Sequence, residues 1–212
     1  MVLVQLNIGK VMLITTSRRP CHLTRILSRE LARVLPRSVY IPRGAKTIEK
    51  ITSLARELGQ NRVIIVNSTL DKPGEVRFLE VGEVWRWADA SVRLGEVKVP
   101  RRAVRGSDIN VVKIFAVGAE ALEFAEWVEK FLGLGRSDVL PDSGLVIFIT
   151  SRDGLKIQFR IMPGAQVVGP ELAIASFGNL SGGRSAEMRG NDGQSRKSQR
   201  DDKAGVQKCS RS

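Results

Sequence analysis

Apolar residues recur along the chain in two alternating rhythms. Residues 11 to 17, VMLITTS, form a continuous apolar run that ends in three hydroxyls, the pattern of a buried strand. From Cys21 to Leu35 the spacing changes. Leu23, Leu27, Leu31 and Val34 draw one stripe on a helix, which Pro36 stops. SVYIPRG predicts a short strand and a turn. Thr47 suits the cap of a second helix, with Ile48, Ile51, Leu54, Ala55 and Leu58 on one face and Gly59 at its end. RVIIVN, 62 to 67, is a buried strand, and DKPG, 71 to 74, a turn. EVRFLEV and SVRLGEVKV then alternate as half-exposed strands.

The second half repeats the rhythm. INVVKIFAVG, 109 to 118, predicts a strand, and Ala119 to Leu132 a helix with Ala121, Leu122, Ala125, Val128 and Phe131 or Leu132 inward. GLVIFITS and LKIQFRIM are strands around the turn Arg152-Asp153-Gly154, and ELAIASF is a last strand. The words LITTSR at 13 to 18 and FITSRD at 148 to 153 echo each other. Strand and helix alternate, so the fold class is α/β with parallel pairing, and the length suits two lobes. The expected domain is 1–180, with halves of about 8–90 and 91–180. After Leu180 large apolar residues almost vanish. Residues 181–212 are expected to form a disordered basic tail, because they bury too little surface to offset their ordering entropy.

Charge adds the first hint of chemistry. Thirty-four basic residues against 22 acidic give a net charge of +12. Guanidinium forks bind phosphate in bidentate fashion, and 23 of the basic residues are arginine, a bias that suits nucleic acid. Cys21 and Cys209 lie far apart and His22 is the single histidine, so no metal site is expected. No run approaches the roughly 20 apolar residues of a membrane span. The start MVLVQLNIGK lacks the pattern of a signal peptide. The expectation is a cytoplasmic monomer without a membrane partner.

Catalytic motifs are missing: there is no GxGxxG after a strand, no GxxxxGK[ST] and no GxSxG. The expectation is no enzyme and no cofactor. The basic residues are better organised. Arg18, Arg19, Arg25, Arg29, Arg33, Arg37, Arg43 and Lys46 stand against one acid, Glu30. Arg25, Arg29 and Arg33 are four residues apart and form a ridge opposite the core stripe. A second group is Arg93, Lys98, Arg101, Arg102 and Arg105. Thr15, Thr16 and Ser17 lie where a strand's carboxyl end meets a helix start. Their hydroxyls either serve the turn or, with Arg18 and Arg19, seat an anion at the helix N-terminus. Trp85 and Trp87 share a face and either stack on bases or pack in the core or between the lobes.

KVMLITTSRRP, LTRILSRELARVLPRSVYIPRG and RVIIVN together resemble the opening half of the Brix-domain proteins. KIQFRIM and VVGPELAIASF, with Gly169-Pro170, are similar to that family's late strand and Gly-Pro motif. The resemblance covers roughly residues 8 to 178 and points to the archaeal, single-domain branch. It implies two similar α/β halves, each like the anticodon-binding domain of class IIa aminoacyl-tRNA synthetases. It also implies a non-catalytic, RNA-binding factor in ribosome biogenesis, whose partners are precursor ribosomal RNA, during its processing, and other ribosome assembly proteins. The RNA-binding residues expected in this chain are Thr16, Ser17, Arg18, Arg19, Arg25, Arg29, Arg33, Arg37, Arg43, Lys46, Arg93, Lys98, Arg101 and Arg102. The alternative is a protein-interaction scaffold in pre-ribosomal particles with incidental RNA contact. A small phosphate-handling enzyme using the TTSRR turn is the further rival.

Overall fold

In the computed structural model, residues 12–100 and 112–179 are described; all lie in one compact unit. The expected tail and Arg101, Arg102 and Arg105 fall outside them. The first strand, β1 (Met12–Thr16), is buried along its length. It leads into helix α1 (His22–Val34), then β2 (Ser38–Tyr40), helix α2 (Ile48–Glu57) and β3 (Arg62–Thr69). β2 and β3 lie parallel to β1 on either side of it. β4 (Lys72–Val81) and β5 (Trp85–Lys98) continue the sheet as an antiparallel meander.

The second half contains β6 (Val112–Val117), helix α3 (Ala119–Leu132), β7 (Gly144–Thr150), β8 (Lys156–Met162), the two-residue β9 (Gln166–Val167) and β10 (Glu171–Asn179). β6 and β7 are parallel, and β8 and β10 follow antiparallel. β10 then pairs antiparallel with β5. One sheet results, in the order β2-β1-β3-β4-β5-β10-β8-β7-β6. Read outward from the central pair, both halves run through a meander to a parallel pair. Residue 136 bridges the outer edge of β6, where β2 flanks β1. The expected boundary near residue 90 falls inside β5.

The apolar patterns produce these elements as anticipated. Thr47 caps α2 by accepting a hydrogen bond from the Lys50 N–H at 3.3 Å. Gly133, at φ 65°, closes α3 in the left-handed region. The helices divide between two faces of the sheet. Leu27, Leu31 and Val34 of α1 join Phe124, Val128 and Phe131 of α3 in one core that crosses the joint between the halves. Ile51 and Ala55 of α2 form a smaller core on the other face with Leu13, Val63, Ile65, Leu79 and Val81.

Several details differ from expectation. Leu122 is exposed and Phe124 takes its inward place, because the buried stripe of α3 runs through Ala121, Phe124, Ala125 and Val128. Leu58 is exposed at the end of α2. The β3–β4 turn is Leu70-Asp71, both at positive φ, and Pro73 stands within β4 beside a register shift. The LITTSR and FITSRD echo does not mark the repeat. β1 occupies the place of β6, whereas FITSRD ends β7, the counterpart of β3. Trp85 and Trp87 pack on the smaller core, with Arg77 stacked 4.0 Å over the Trp87 ring.

Candidate nucleic-acid interface

The strand order β2-β1-β3 makes the carboxyl end of β1 a topological switch point. The chain leaves β1 through α1 on one face and reaches β3 through α2 on the other. In open α/β sheets such a crevice is where ligands bind. Thr15, Thr16, Ser17, Arg18 and Arg19 lie at this point.

The three hydroxyls divide by role. Thr15 is buried and donates to the Ile41 carbonyl at 2.7 Å, which ties β1 to the chain after β2. Thr16 is 1% exposed, and its hydroxyl donates to the Ser17 carbonyl at 3.1 Å. The Thr16 hydroxyl thus serves the turn and is shielded from solvent. Ser17 is half-buried, its N–H donates to the Val66 carbonyl at 3.0 Å, and its Oγ is itself shielded from solvent and has no partner among the described residues. Arg18 and Arg19 are exposed.

Cys21 caps α1. Its N–H donates to Ser68 Oγ at 3.0 Å, and its Sγ accepts from the Thr24 N–H at 3.4 Å. Thr24 Oγ1 and Ser68 Oγ lie 2.8 Å apart, so β3 holds the helix start in place. Burial pushes the Cys21 thiol up, but hydrogen bonds with Thr24 and Ser68 outweigh it and hold the thiol below its usual range. No acid occupies the first turn of α1, so the positive end of its dipole is uncompensated from within.

The arginine ridge exists, and its members differ. Arg25, Arg29 and Arg33 are all exposed on α1. Arg25 has no ion pair among the described residues. Arg29 lies 5.6 Å from the Tyr40 ring centroid. Arg33 pairs with the buried Glu30 at 2.6 Å, so the column is not three free charges. Arg37 is exposed beyond the far end of α1, away from Arg25 in the helix's first turn.

Arg43, expected among the exposed cations, turns inward instead. It is 6% exposed, and its Nε donates to the Lys46 carbonyl at 2.6 Å, closing the loop after β2. Burial lowers its pKa, and repulsion from Arg18 adds to this. It contributes field to the switch point rather than a free fork. Lys46 donates to the Pro42 carbonyl at 3.1 Å. Glu49 lies within the field of Arg43 and Arg18. Its own N–H and the Thr47 hydroxyl hold its carboxyl below the usual range, and the two arginines help.

Of the second group, Arg93 and Lys98 are described, and neither is brought to this point. Arg93 stands on β5 on the face away from α1, since Val92 and Leu94 point into the larger core, and it lies across from Glu75. Lys98 lies 3.6 Å from Glu96. Sequence reasoning missed Ser68, which orients the helix start, and took Glu49 for one more acid on a solvated helix face rather than an acid beside the cations. A serine closing an apolar strand and a glutamate in a helix's first turn carry no distinguishing pattern. The Gly169-Pro170 pair is buried against Val34 of α1 and Phe159 of β8, a packing position away from solvent. Among the described residues, no cluster of three or more potential metal ligands occurs, and no helix is long and apolar enough to cross a membrane.

This α/β architecture is shared with solved archaeal proteins. The chain superposes on a crystal structure of a probable ribosomal biogenesis protein from Aeropyrum pernix K1 with a TM-score of 0.67 and 25% identity, covering 85% of this chain and 99% of that one. It superposes on Mil, an archaeal Imp4-like protein, with a TM-score of 0.58 and 19% identity, covering 79% and 99%. The curated homologues bear out the Brix resemblance. The chain is 41% identical over 71 residues to a probable Brix domain-containing ribosomal biogenesis protein of Pyrococcus horikoshii, 34% of this chain and 32% of that protein. It is 34% identical over 88 residues to a protein of the same description from Methanopyrus kandleri, 42% of this chain and 46% of that one. The matched segment thus spans less than half of these curated relatives. No family model matches the chain.

Proposed function

We propose that this protein is a non-catalytic ribosome-biogenesis factor that binds precursor ribosomal RNA, with the switch point at the end of β1 as its phosphate seat. In this reading Ser17, Arg18, Arg19 and the N-terminus of α1 hold one phosphate group, and Arg25 and Arg29 extend the contact along the helix. The observation that carries it is the convergence of an unpartnered hydroxyl, a helix start without an acid and unpaired arginines at one crevice. The names of the archaeal relatives support the ribosomal setting. Residues 1–180 act as the Brix domain, its halves built like anticodon-binding domains. The protein works as a cytoplasmic monomer.

The test is titration with ribosomal RNA across a range of salt concentrations. Each phosphate neutralised on single-stranded RNA contributes roughly 0.7 to the slope of log K against log salt. Changing Arg18, Arg19 and Arg25 together to glutamine removes the phosphate seat and one contact on the helix, and is expected to take about 1.4 from the slope. Glu49→Gln is expected to raise affinity, because it removes an anion from the field of Arg18 and Arg43. A wild-type slope near zero would sink the reading in favour of a protein-interaction scaffold. An unchanged slope in the triple variant would move the RNA elsewhere on the molecule.

A further inference from the structure

The two halves differ in one helix. In the N-terminal half, α2 covers one face of the sheet between β2 and β3. In the C-terminal half the chain runs from α3 past the bridge at Arg136 directly into β7, with no helix between. The strand registers allow a position-by-position comparison of what lies beneath. Ile14 pairs with Ile64 as Ile114 pairs with Ile147, and Val63 pairs with Leu79 as Val146 pairs with Arg160. Under α2 stand Leu13, Val63, Ile65, Leu79 and Val81. Their counterparts are Lys113, Val146, Phe148, Arg160 and Met162.

This substitution pattern discriminates between occupants. A helix packed like α2 needs an aliphatic floor. Here two of its leucines are replaced by cations and one isoleucine by an aromatic ring. The ring centroids of Phe115 and Phe148 lie 5.8 Å apart, tilted by 33°. The Arg160 guanidinium stacks 4.0 Å over Phe148. Its Nε is held by Gln158 Oε1 at 3.0 Å, and Gln158 in turn donates to Glu171. Lys156 is exposed on the same face of β8. Among the described residues, Lys113, Lys156 and Arg160 have no ion pair. Aromatic rings and a fixed guanidinium plane flanked by free cations suit nucleobases and their phosphates, not a polypeptide helix.

We propose that this face of β6, β7 and β8 is a stacking platform for an unpaired stretch of RNA, with bases on Phe115 and on the Arg160–Phe148 stack and phosphates at Lys113 and Lys156. The proposal rests on the reading that the chain binds RNA, and adds a second contact on the face opposite α1. Duplex RNA buries its bases and cannot use it.

The test uses the full chain, a labelled short oligouridine and an RNA duplex as probes. Lys113→Gln with Arg160→Gln is expected to weaken oligouridine binding about tenfold and to leave duplex binding within about twofold. Phe148→Leu, which keeps the apolar volume and removes the ring, is expected to weaken the oligouridine alone. Ultraviolet crosslinking of the wild-type protein supplies a readout independent of any variant's folding, and its adducts are expected on the peptides that contain Phe115 and Phe148. Adducts confined to α1, with unchanged affinity in the variants, would overturn the platform and leave the RNA reading intact. Absence of any RNA binding by the wild type would overturn both. A concentration-dependent dimer that Arg160→Glu dissolves would show that a second copy covers the face, and would also overturn the platform.

Discussion

Single residues in this protein are decided by what the fold places beside them. Gly169 shows this most sharply. A methyl group on its Cα would meet Val34 Cγ1 at 2.8 Å and Phe159 Cβ and Cδ2 at 3.0 Å. Both neighbours are almost wholly buried, so neither can yield freely. Gly169→Ala is expected to destabilise the protein by about 1–3 kcal/mol through overpacking. Thermal denaturation checks it, and a fall of less than about 2 °C in Tm would show that the seam is looser than drawn. Pro170 flanks the same contact, so the late Gly-Pro motif serves the packing of one half on the other. The sequence has no means of revealing this. It can likewise place Arg18, Arg19 and Arg25 at an exposed strand-to-helix junction, but not foresee that Arg43 turns inward. A run of arginines has the same spacing whether its members face solvent or close a loop. That choice depends on the path of the backbone between β2 and α2.

At the scale of elements, legibility follows local periodicity. α1 and α2 are clear because their apolar stripes, caps and stops agree. α3 is clear in extent but not in facing, since Leu122 and Phe124 offer competing stripes. The β3–β4 hairpin misleads for a chemical reason. DKPG holds the residues that usually turn a chain, yet the turn uses Leu70 and Asp71 at φ 49° and 61°. Left-handed backbone at both central positions is the signature of a type I′ hairpin, which favours Asn-Gly. Leu70 is 90% exposed, so its side chain gives nothing back for the strain. Replacing Leu70-Asp71 by Asn-Gly is expected to raise stability by about 1 kcal/mol, read as a higher urea midpoint at constant slope. A lowered midpoint would mean that Leu70 is held by a contact that the hairpin needs.

The whole molecule is organised around the antiparallel pairing of β5 with β10. This pairing joins residues far apart in the chain, so no local pattern announces it. The halves also carry their repeat in strand order rather than in wording, which is why the LITTSR and FITSRD echo points to the wrong pair of strands. The larger core crosses the seam without a break: Phe78 of β4 packs edge-on against Trp127 and Phe131 of α3, each at 4.6 Å, and Arg62 of β3 stacks over Phe131. The covalent link between Lys98 and Val112 is therefore not what holds the halves together. A chain cut between these residues is expected to persist as a two-piece protein, its fragments copurifying and renaturing only in each other's presence. Either fragment alone would display an unpaired strand edge beside half a core, the combination that leads to aggregation. Size-exclusion chromatography of the separated and mixed fragments reads the outcome directly. Two stable monomeric fragments would show instead that each half is self-sufficient, and that the seam is a docking contact rather than part of the folding unit.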